Sequence, residues 1–356
     1  MLPDPAAWRG KRVLLTGHTG FKGSWAALWL AEMGARLTGF ALAPDTEPAL
    51  YRIAQVDRDV TSIIGDVRDA EAVAAAVDRS DPQIVVHMAA QSLVRRSFAQ
   101  PAQTFATNVQ GTVNLLEALR GRSALEAVIV VTSDKVYAND ESGRAFVESD
   151  RLGGKDPYSA SKVAAELVTS GYALSYFESA GVPVATVRAG NVIGGGDFAA
   201  DRLVPDTIRA VASGQELALR NPNTTRPWHH VLDCLAGYLL FAEALAEKRP
   251  GPRALNFGPG PGRSLTVSKL AEAVLEALGR KPSWIGMPQG DAIEMKALTL
   301  DASAARAYLN WRDRLPSAAC ISWTADWYRA HAAGEDMRDV TLRQFAAYRA
   351  LDRNHS

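Results

Sequence analysis

Through the first half of the chain, short runs of aliphatic and β-branched residues alternate with longer stretches in which apolar positions recur every three or four residues. Arg12-Val13-Leu14-Leu15-Thr16 predicts a buried strand, and Phe21 to Met33 predicts a helix that Gly34 ends. Further strands are predicted over Arg36 to Leu42, Ser62 to Ile64, Gln83 to His87, Glu126 to Val131 and Val182 to Val187. Helices fall between them over Ala70 to Val77, Pro101 to Leu119 and about Pro157 to Ala180, and Asp81-Pro82 breaks the first of these. Strands alternating with helices imply right-handed βαβ units and an α/β fold with a parallel, doubly wound sheet. Ligands of such sheets bind beyond the carboxyl ends of the strands, so the residues just after each strand carry the chemistry.

After about Gly190 the pattern loosens. Gly194-Gly195-Gly196, Arg220-Asn221-Pro222-Asn223 and Pro259-Gly260-Pro261-Gly262 are loop-rich, and Leu265 to Gly279 predicts a helix. This divides the chain into a dinucleotide-binding domain, residues 1–190 with about 231–258, and a smaller α/β substrate-binding lobe, residues 191–230 and 259–356. Lys plus Arg and Asp plus Glu both number 39, so the net charge is zero. No long-range field would hold nucleic acid or an anionic membrane, although a local basic pocket for a phosphate stays open. Cys234 and Cys320 lie far apart with no metal-ligand or disulfide spacing, which suits two reduced thiols. No apolar stretch is long enough to span a bilayer, and Met1 to Pro5 carry no leader pattern, so a cytoplasmic protein is expected.

Gly17-His18-Thr19-Gly20-Phe21-Lys22-Gly23 stands between the first strand and the first helix. Glycines there allow a tight turn, close approach of the backbone to a pyrophosphate and helix-on-strand packing, while the helix N-terminus offers its N–H groups to the phosphates. The fold is therefore expected to be Rossmann-type. The Gly-x-x-Gly-x-x-Gly spacing resembles the extended short-chain dehydrogenase/reductase superfamily. That resemblance implies that Asp66 and Val67 hold the adenine and that Ala89 and Ala90 flank the nicotinamide ribose. Asp66 could equally cap the helix that follows. The second strand ends in Gly39-Phe40-Ala41-Leu42 without an acidic residue for the ribose hydroxyls, and Asp45 comes late.

Tyr158 and Lys162 stand four apart on a helical stretch and so share a face. A nearby ammonium and a positive nicotinamide ring would lower the tyrosine pKa enough for it to serve as a base. Thr132-Ser133-Asp134-Lys135 closes the fifth strand, where Ser133 would share the hydroxyl that Tyr158 deprotonates. These segments, with Ser24-Trp25, Val187-Arg188-Ala189-Gly190-Asn191-Val192-Ile193-Gly194-Gly195-Gly196-Asp197 and Arg226-Pro227-Trp228, resemble the CDP-glucose 4,6-dehydratases along nearly the whole chain. The resemblance implies NAD as cofactor, a homodimer formed through Rossmann-lobe helices, and conversion of CDP-D-glucose to CDP-4-keto-6-deoxy-D-glucose on the way to deoxysugars of surface polysaccharides. Tyr158, helped by Lys162 and Ser133, would take the C4 hydroxyl proton, and Asp134 would protonate the departing C6 hydroxyl. Lys135, where related dehydratases carry Glu, would be the C5 base or would stabilise the enolate. The substrate contacts implied are Gln91, Asn191, Arg202, Arg226, Trp228 and Glu294. Asn139 to Phe146 departs from the family in lacking aromatic residues before its end. His229-His230 has no third ligand at useful spacing, so no metal is expected, and His87 reads as a core histidine. A 4-epimerase or 4-keto reductase of the same fold is the alternative, and Asp134-Lys135 separates them because those reactions need no elimination acid. A non-catalytic dinucleotide sensor is disfavoured by the intact Tyr158 and Lys162.

Overall fold

The computed structural model describes residues 1–260, 262–287 and 298–351. Seven parallel strands form the central sheet: β1 (Arg12–Thr16), β2 (Arg36–Ala41), β3 (Val60–Ile64), β4 (Ile84–His87), β5 (Ala127–Val131), β6 (Val184–Ala189) and β7 (Ala254–Phe257). Their order across the sheet is β7-β6-β5-β4-β1-β2-β3. Strands β4, β5 and β6 are buried along their whole length, because helices cover both faces of the sheet, and hence they are mostly aliphatic, with His87 in β4 and Thr186 and Arg188 in β6 as buried exceptions. One core lies beneath the helices Phe21–Glu32 and Val231–Ala246, and a second lies beneath Ala70–Ser80 and Gly111–Leu119. The Val231–Ala246 helix is apolar on nearly every side and is buried accordingly.

Strand β1 pairs with β2 on one side and β4 on the other, with Thr16 opposite both Phe40 and His87. The order reverses there. The loops after β1 and β4 leave the sheet toward opposite faces and open a crevice between them.

The long helices depart from a single α-helical period. Residues Ala106–Gln110 and Ala173–Phe177 are π-helical turns, which apolar spacing does not reveal. Strand β7 also escapes a pattern reading, since it is only four residues long and carries the buried Asn256.

Outside the central sheet the chain forms short strand pairs, among them Asn191–Ile193 with Trp228–His230 and Leu217–Leu219 with Trp284–Gly286. The terminal helix Met337–Ala350 lies elsewhere, against the Phe21–Glu32 helix. Phe345 packs on Trp25 and Trp29 with ring centroids 5.2 and 5.4 Å apart.

Candidate active site

The loop after β1 forms a cradle whose shape requires glycine. Gly17 has φ +80°, and a Cβ there would meet Ala89 N at 2.8 Å across the crevice. A Cβ on Gly23 would fall 2.0 Å from Gly17 O. Gly20 is exposed, N-caps the Phe21–Glu32 helix without a side-chain cap, and would have only Gly17 O, at 3.5 Å, near an added Cβ. The first-turn N–H groups therefore face an open anion-sized space at the positive end of a twelve-residue helix, which fits the diphosphate of a dinucleotide. Thr19 Oγ1 donates to Leu42 O at 2.8 Å and ties the cradle to the end of β2.

His18 turns inward instead. Its Nε2 meets Ser62 Oγ at 2.7 Å, its ring stands edge-on to Tyr51, and Gly39 leaves room for it, since a Cβ there would lie 2.3 Å from the ring. Burial lowers its pKa to about 4, so the ring is neutral. Any share it has in the cradle comes through its backbone. Asp66 grips Arg68, accepting from its Nε, Nη2 and backbone N–H, and these bonds hold the carboxyl below its ordinary range. Asp69, not Asp66, caps the Ala70–Ser80 helix. Val67 is buried against Gly111, and Ala89 N donates to Thr16 Oγ1 at 3.1 Å, which places Ala89 and Ala90 at the mouth of the crevice. His87 lies in the core with Thr16 and Thr112 hydroxyls on its two nitrogens.

Ser133 to Val136 make a 3-10 turn at the end of β5, N-capped by Ser133, whose Oγ accepts from Lys135 N and donates to Asp134 Oδ1 at 3.1 Å. Asp134 is 3% exposed, and among the described residues its Oδ2 has no hydrogen-bond partner. Gly190 makes room for that oxygen, for a Cβ there would lie 3.2 Å from it. Burial raises the Asp134 pKa against the opposing pull of Lys135, Ser133 and Arg226. A buried carboxyl that holds its proton more tightly than usual and stands in the wall of a cavity is placed to act as a general acid.

Tyr158 and Lys162 share a face of the Pro157–Tyr172 helix and are both buried. Here the charge logic read from the sequence needs correction. Burial dominates at Tyr158 and pushes its pKa up to about 12, with Ser133 as the main opposing contact. Lys162 does not offset this, since its ammonium donates to Val131 O at 3.1 Å, and burial together with Lys22 lowers its own pKa to about 7.

A cavity of about 380 Å³ lies beside these groups, within the range of small-molecule sites. Phe21, Lys22, Ser133, Asp134, Lys135 and Tyr158 are among the residues that line it, together with Asn191, Arg202, Arg226 and Trp228. Arg202 bridges Asp197 and Ser92 at 2.9 Å each. Trp228 donates its indole N–H to Leu265 O at 3.2 Å. Gln91 is not brought to this cavity. Its amide is spent on Leu93 and on Thr104 Oγ1 at 3.0 Å, so the neighbouring Ser92 takes its place on the wall. Glu294 lies outside the described residues. The sequence reading missed Arg95 and Arg220, which meet on Asp201 Oδ1 at 3.0 and 2.6 Å at the cavity wall. It also missed Asn108, which bonds Gln91 and Ser161 Oγ from within the first π turn. A π turn placing a buried Asn is invisible to periodicity, but arginines recurring near a suspected diphosphate are a usable signal.

The NAD dependent epimerase/dehydratase family matches residues 13–258, and the chain belongs to that family. It is 43% identical over 351 residues to the CDP-glucose 4,6-dehydratase of Salmonella typhimurium (strain LT2), covering 97% of this chain and 98% of that protein. It is 31% identical over 335 residues to a dTDP-glucose 4,6-dehydratase of Streptomyces antibioticus, covering 90% and 93%. Among solved structures, the dTDP-glucose 4,6-dehydratase of Streptomyces venezuelae with NAD and TYD bound superposes with a TM-score of 0.76 at 27% identity, covering 92% of this chain and 99% of that one. The UDP-glucose 4-epimerase of Thermus thermophilus in complex with NAD gives 0.78 at 28%, covering 89% and 99%.

Proposed function

We infer that the chain is a CDP-glucose 4,6-dehydratase, which converts CDP-D-glucose to CDP-4-keto-6-deoxy-D-glucose and water. The observation that carries this reading is that Asp134, buried with one oxygen that has no hydrogen-bond partner among the described residues, lines the same cavity as Lys135 and Tyr158. Oxidation or epimerisation at C4 needs no such acid. The cradle of residues 17–23, with Asp66, Val67, Ala89 and Ala90, holds NAD. When bound, NAD supplies the acceptor for the C4 hydride, the donor that returns it at C6, and a positive charge beside Tyr158.

Tyr158 takes the C4 hydroxyl proton, with Ser133 and Lys162 stabilising the charge that forms. The C4 ketone acidifies the C5 proton, and Lys135 is the group on hand there, as base or as the charge that stabilises the enolate. Asp134 gives its proton to the C6 hydroxyl as water leaves. Asn191, Arg202, Arg226 and Trp228 hold the nucleotide diphosphate, arginine being suited to two oxygens at once. The enzyme works in the cytoplasm as a homodimer. Its second copy packs on the helices that carry the exposed Phe98, Phe105, Leu167, Leu174 and Tyr176, since exposed apolar side chains of this kind mark interfaces.

A proton NMR time course with CDP-, UDP-, GDP- and dTDP-glucose and added NAD tests the reading. A C6 methyl signal from CDP-glucose without net NADH is expected. A methyl from another nucleotide alone overturns the cytidine assignment, and a 4-epimer or steady NADH without methyl overturns the dehydratase.

A further inference from the structure

The Pro157–Tyr172 helix carries a third buried residue on the face of Tyr158 and Lys162. Glu166 stands one turn beyond Lys162, so the three recur every four residues. Both Glu166 oxygens are filled. Oε1 accepts from Thr132 Oγ1 at 2.5 Å and Arg188 Nε at 2.9 Å, and Oε2 accepts from Thr186 Oγ1 and Arg188 Nη2, each at 2.8 Å. Thr186 and Arg188 are two apart on β6 and so point to one face. The remaining guanidinium nitrogen, Arg188 Nη1, donates to Tyr137 Oη at 2.8 Å and to Glu148 O at 3.1 Å. Tyr137 in turn donates to Asn256 Oδ1 on β7 at 2.7 Å.

The two ends of this network fall on either side of the catalytic turn. Thr132 immediately precedes Ser133, and Tyr137 comes two residues after Lys135. Arg188 is also two residues from Gly190, which leaves space for Asp134 Oδ2. A buried, fully bonded ion pair is a poor device for stability, because well-packed apolar groups of the same volume serve as well. It is a good device for fixing geometry, since a bidentate pair admits one arrangement of its two partners.

We propose that the Glu166–Arg188 ion pair is the positioning element of the active site, holding the Ser133–Lys135 turn in register with the helix face that presents Tyr158 and Lys162. Neither residue touches the reacting atoms. Glu166 holds the entry to the turn through Thr132, and Arg188 holds its exit through Tyr137. Both groups assigned to elimination, Asp134 and Lys135, ride on that turn, whereas of the groups assigned to oxidation only Ser133 does and Tyr158 and Lys162 ride on the helix, so loosening the clamp slows elimination more than oxidation. This rests on the assignment of those side chains in the proposed function.

The decisive variant is the double substitution Glu166→Gln with Arg188→Met, which removes both charges and keeps the volume. It should keep a thermal midpoint near that of the wild type. Its kcat for C6 methyl formation should fall roughly 10- to 100-fold with KM changed less than about threefold, as expected for misplaced catalytic groups. Enzyme-bound NADH should build up during turnover, which a merely structural role would not produce. A folded double variant with kcat within about twofold of the wild type overturns the proposal. Should the double variant fail to fold, Tyr137→Phe and Thr132→Val each cut one tether and leave the ion pair in place. Each should lower kcat by about 3- to 10-fold, and unchanged kcat in both overturns the proposal. Asp134→Asn in the same assay separates the two failures. If Asp134→Asn is inactive while the double variant turns over normally, only the clamp is wrong. If Asp134→Asn keeps the wild-type rate, the reading of the site fails and the proposal falls with it.

Discussion

Asp134 and Tyr158 are both buried and both hold their protons more tightly than in water, yet the chemistry asks them to move protons in opposite directions. In the proposed mechanism the upward shift at Asp134 favours its role as acid, while the shift at Tyr158 means that a base there needs positive charge beside it. Substituting each should therefore stop the reaction at a different point. Tyr158→Phe should lower kcat by roughly 10²- to 10⁴-fold, the usual worth of a positioned acid or base, with no bound NADH formed. Asp134→Asn should lower methyl formation by a similar order while C4 oxidation continues, so bound NADH accumulates. Rapid-scan absorbance during a single turnover, run beside the NMR assay, distinguishes the two. Equal NADH formation in both variants would contradict the division of roles.

At the scale of elements, close glycine contacts join segments far apart in the chain. Gly195, just after the Asn191–Ile193 strand, lies under Trp327 of the Ser317–Ala332 helix, where a Cβ would fall 1.9 Å from Trp327 Cγ, and Trp25 Nε1 donates to Gly195 O at 2.9 Å. Gly195→Ala should cost about 1–3 kcal/mol, the range for an overpacked core, read as a lower urea midpoint with unchanged slope. Contacts of this kind explain what the sequence could show. Six strands were legible because a doubly covered parallel sheet leaves an aliphatic signature, and the cradle was legible because glycine spacing reflects a steric demand. The Tyr158–Lys162 pair followed from helical spacing only in combination with the glycine loop and the segment 132–135. The rest depends on which distant segment arrives where. Asp66 meets Arg68, and Gln91 turns onto Thr104. Burial at Tyr158 outweighs any help from Lys162, and nothing along the chain announces how deeply a side chain will sit.

At the scale of the molecule, Asp233 ties the Val231–Ala246 helix to later segments. Its carboxyl accepts from Arg314 N, Leu315 N and Tyr348 Oη at 2.7, 3.2 and 2.7 Å. Burial, only partly opposed by those donors, pushes its pKa from 3.8 up to about 7. The fold thus favours the protonated form. Its contribution to stability is full below 3.8 and is lost as pH rises through about 7. Urea unfolding across this range should show the advantage of the wild type over Asp233→Asn shrinking as pH rises, and a constant difference would contradict the sign. Assembly belongs to the same scale. Leu167→Glu with Leu174→Glu, at positions 62% and 53% exposed, should convert the proposed dimer to a monomer in sedimentation velocity without unfolding it. An unchanged sedimentation coefficient would place the second copy elsewhere.

The packing of Phe345 on Trp25 and Trp29 joins residues some 320 positions apart. During synthesis the helix that opens with the phosphate cradle is made early, but its aromatic face gains this cover only once the Met337–Ala350 helix has been made. Until then two tryptophans lack one of their partners, so the growing chain carries an uncovered apolar surface of the kind that invites misassembly. The firmness of the cradle's helix therefore depends on residues made some 320 positions later.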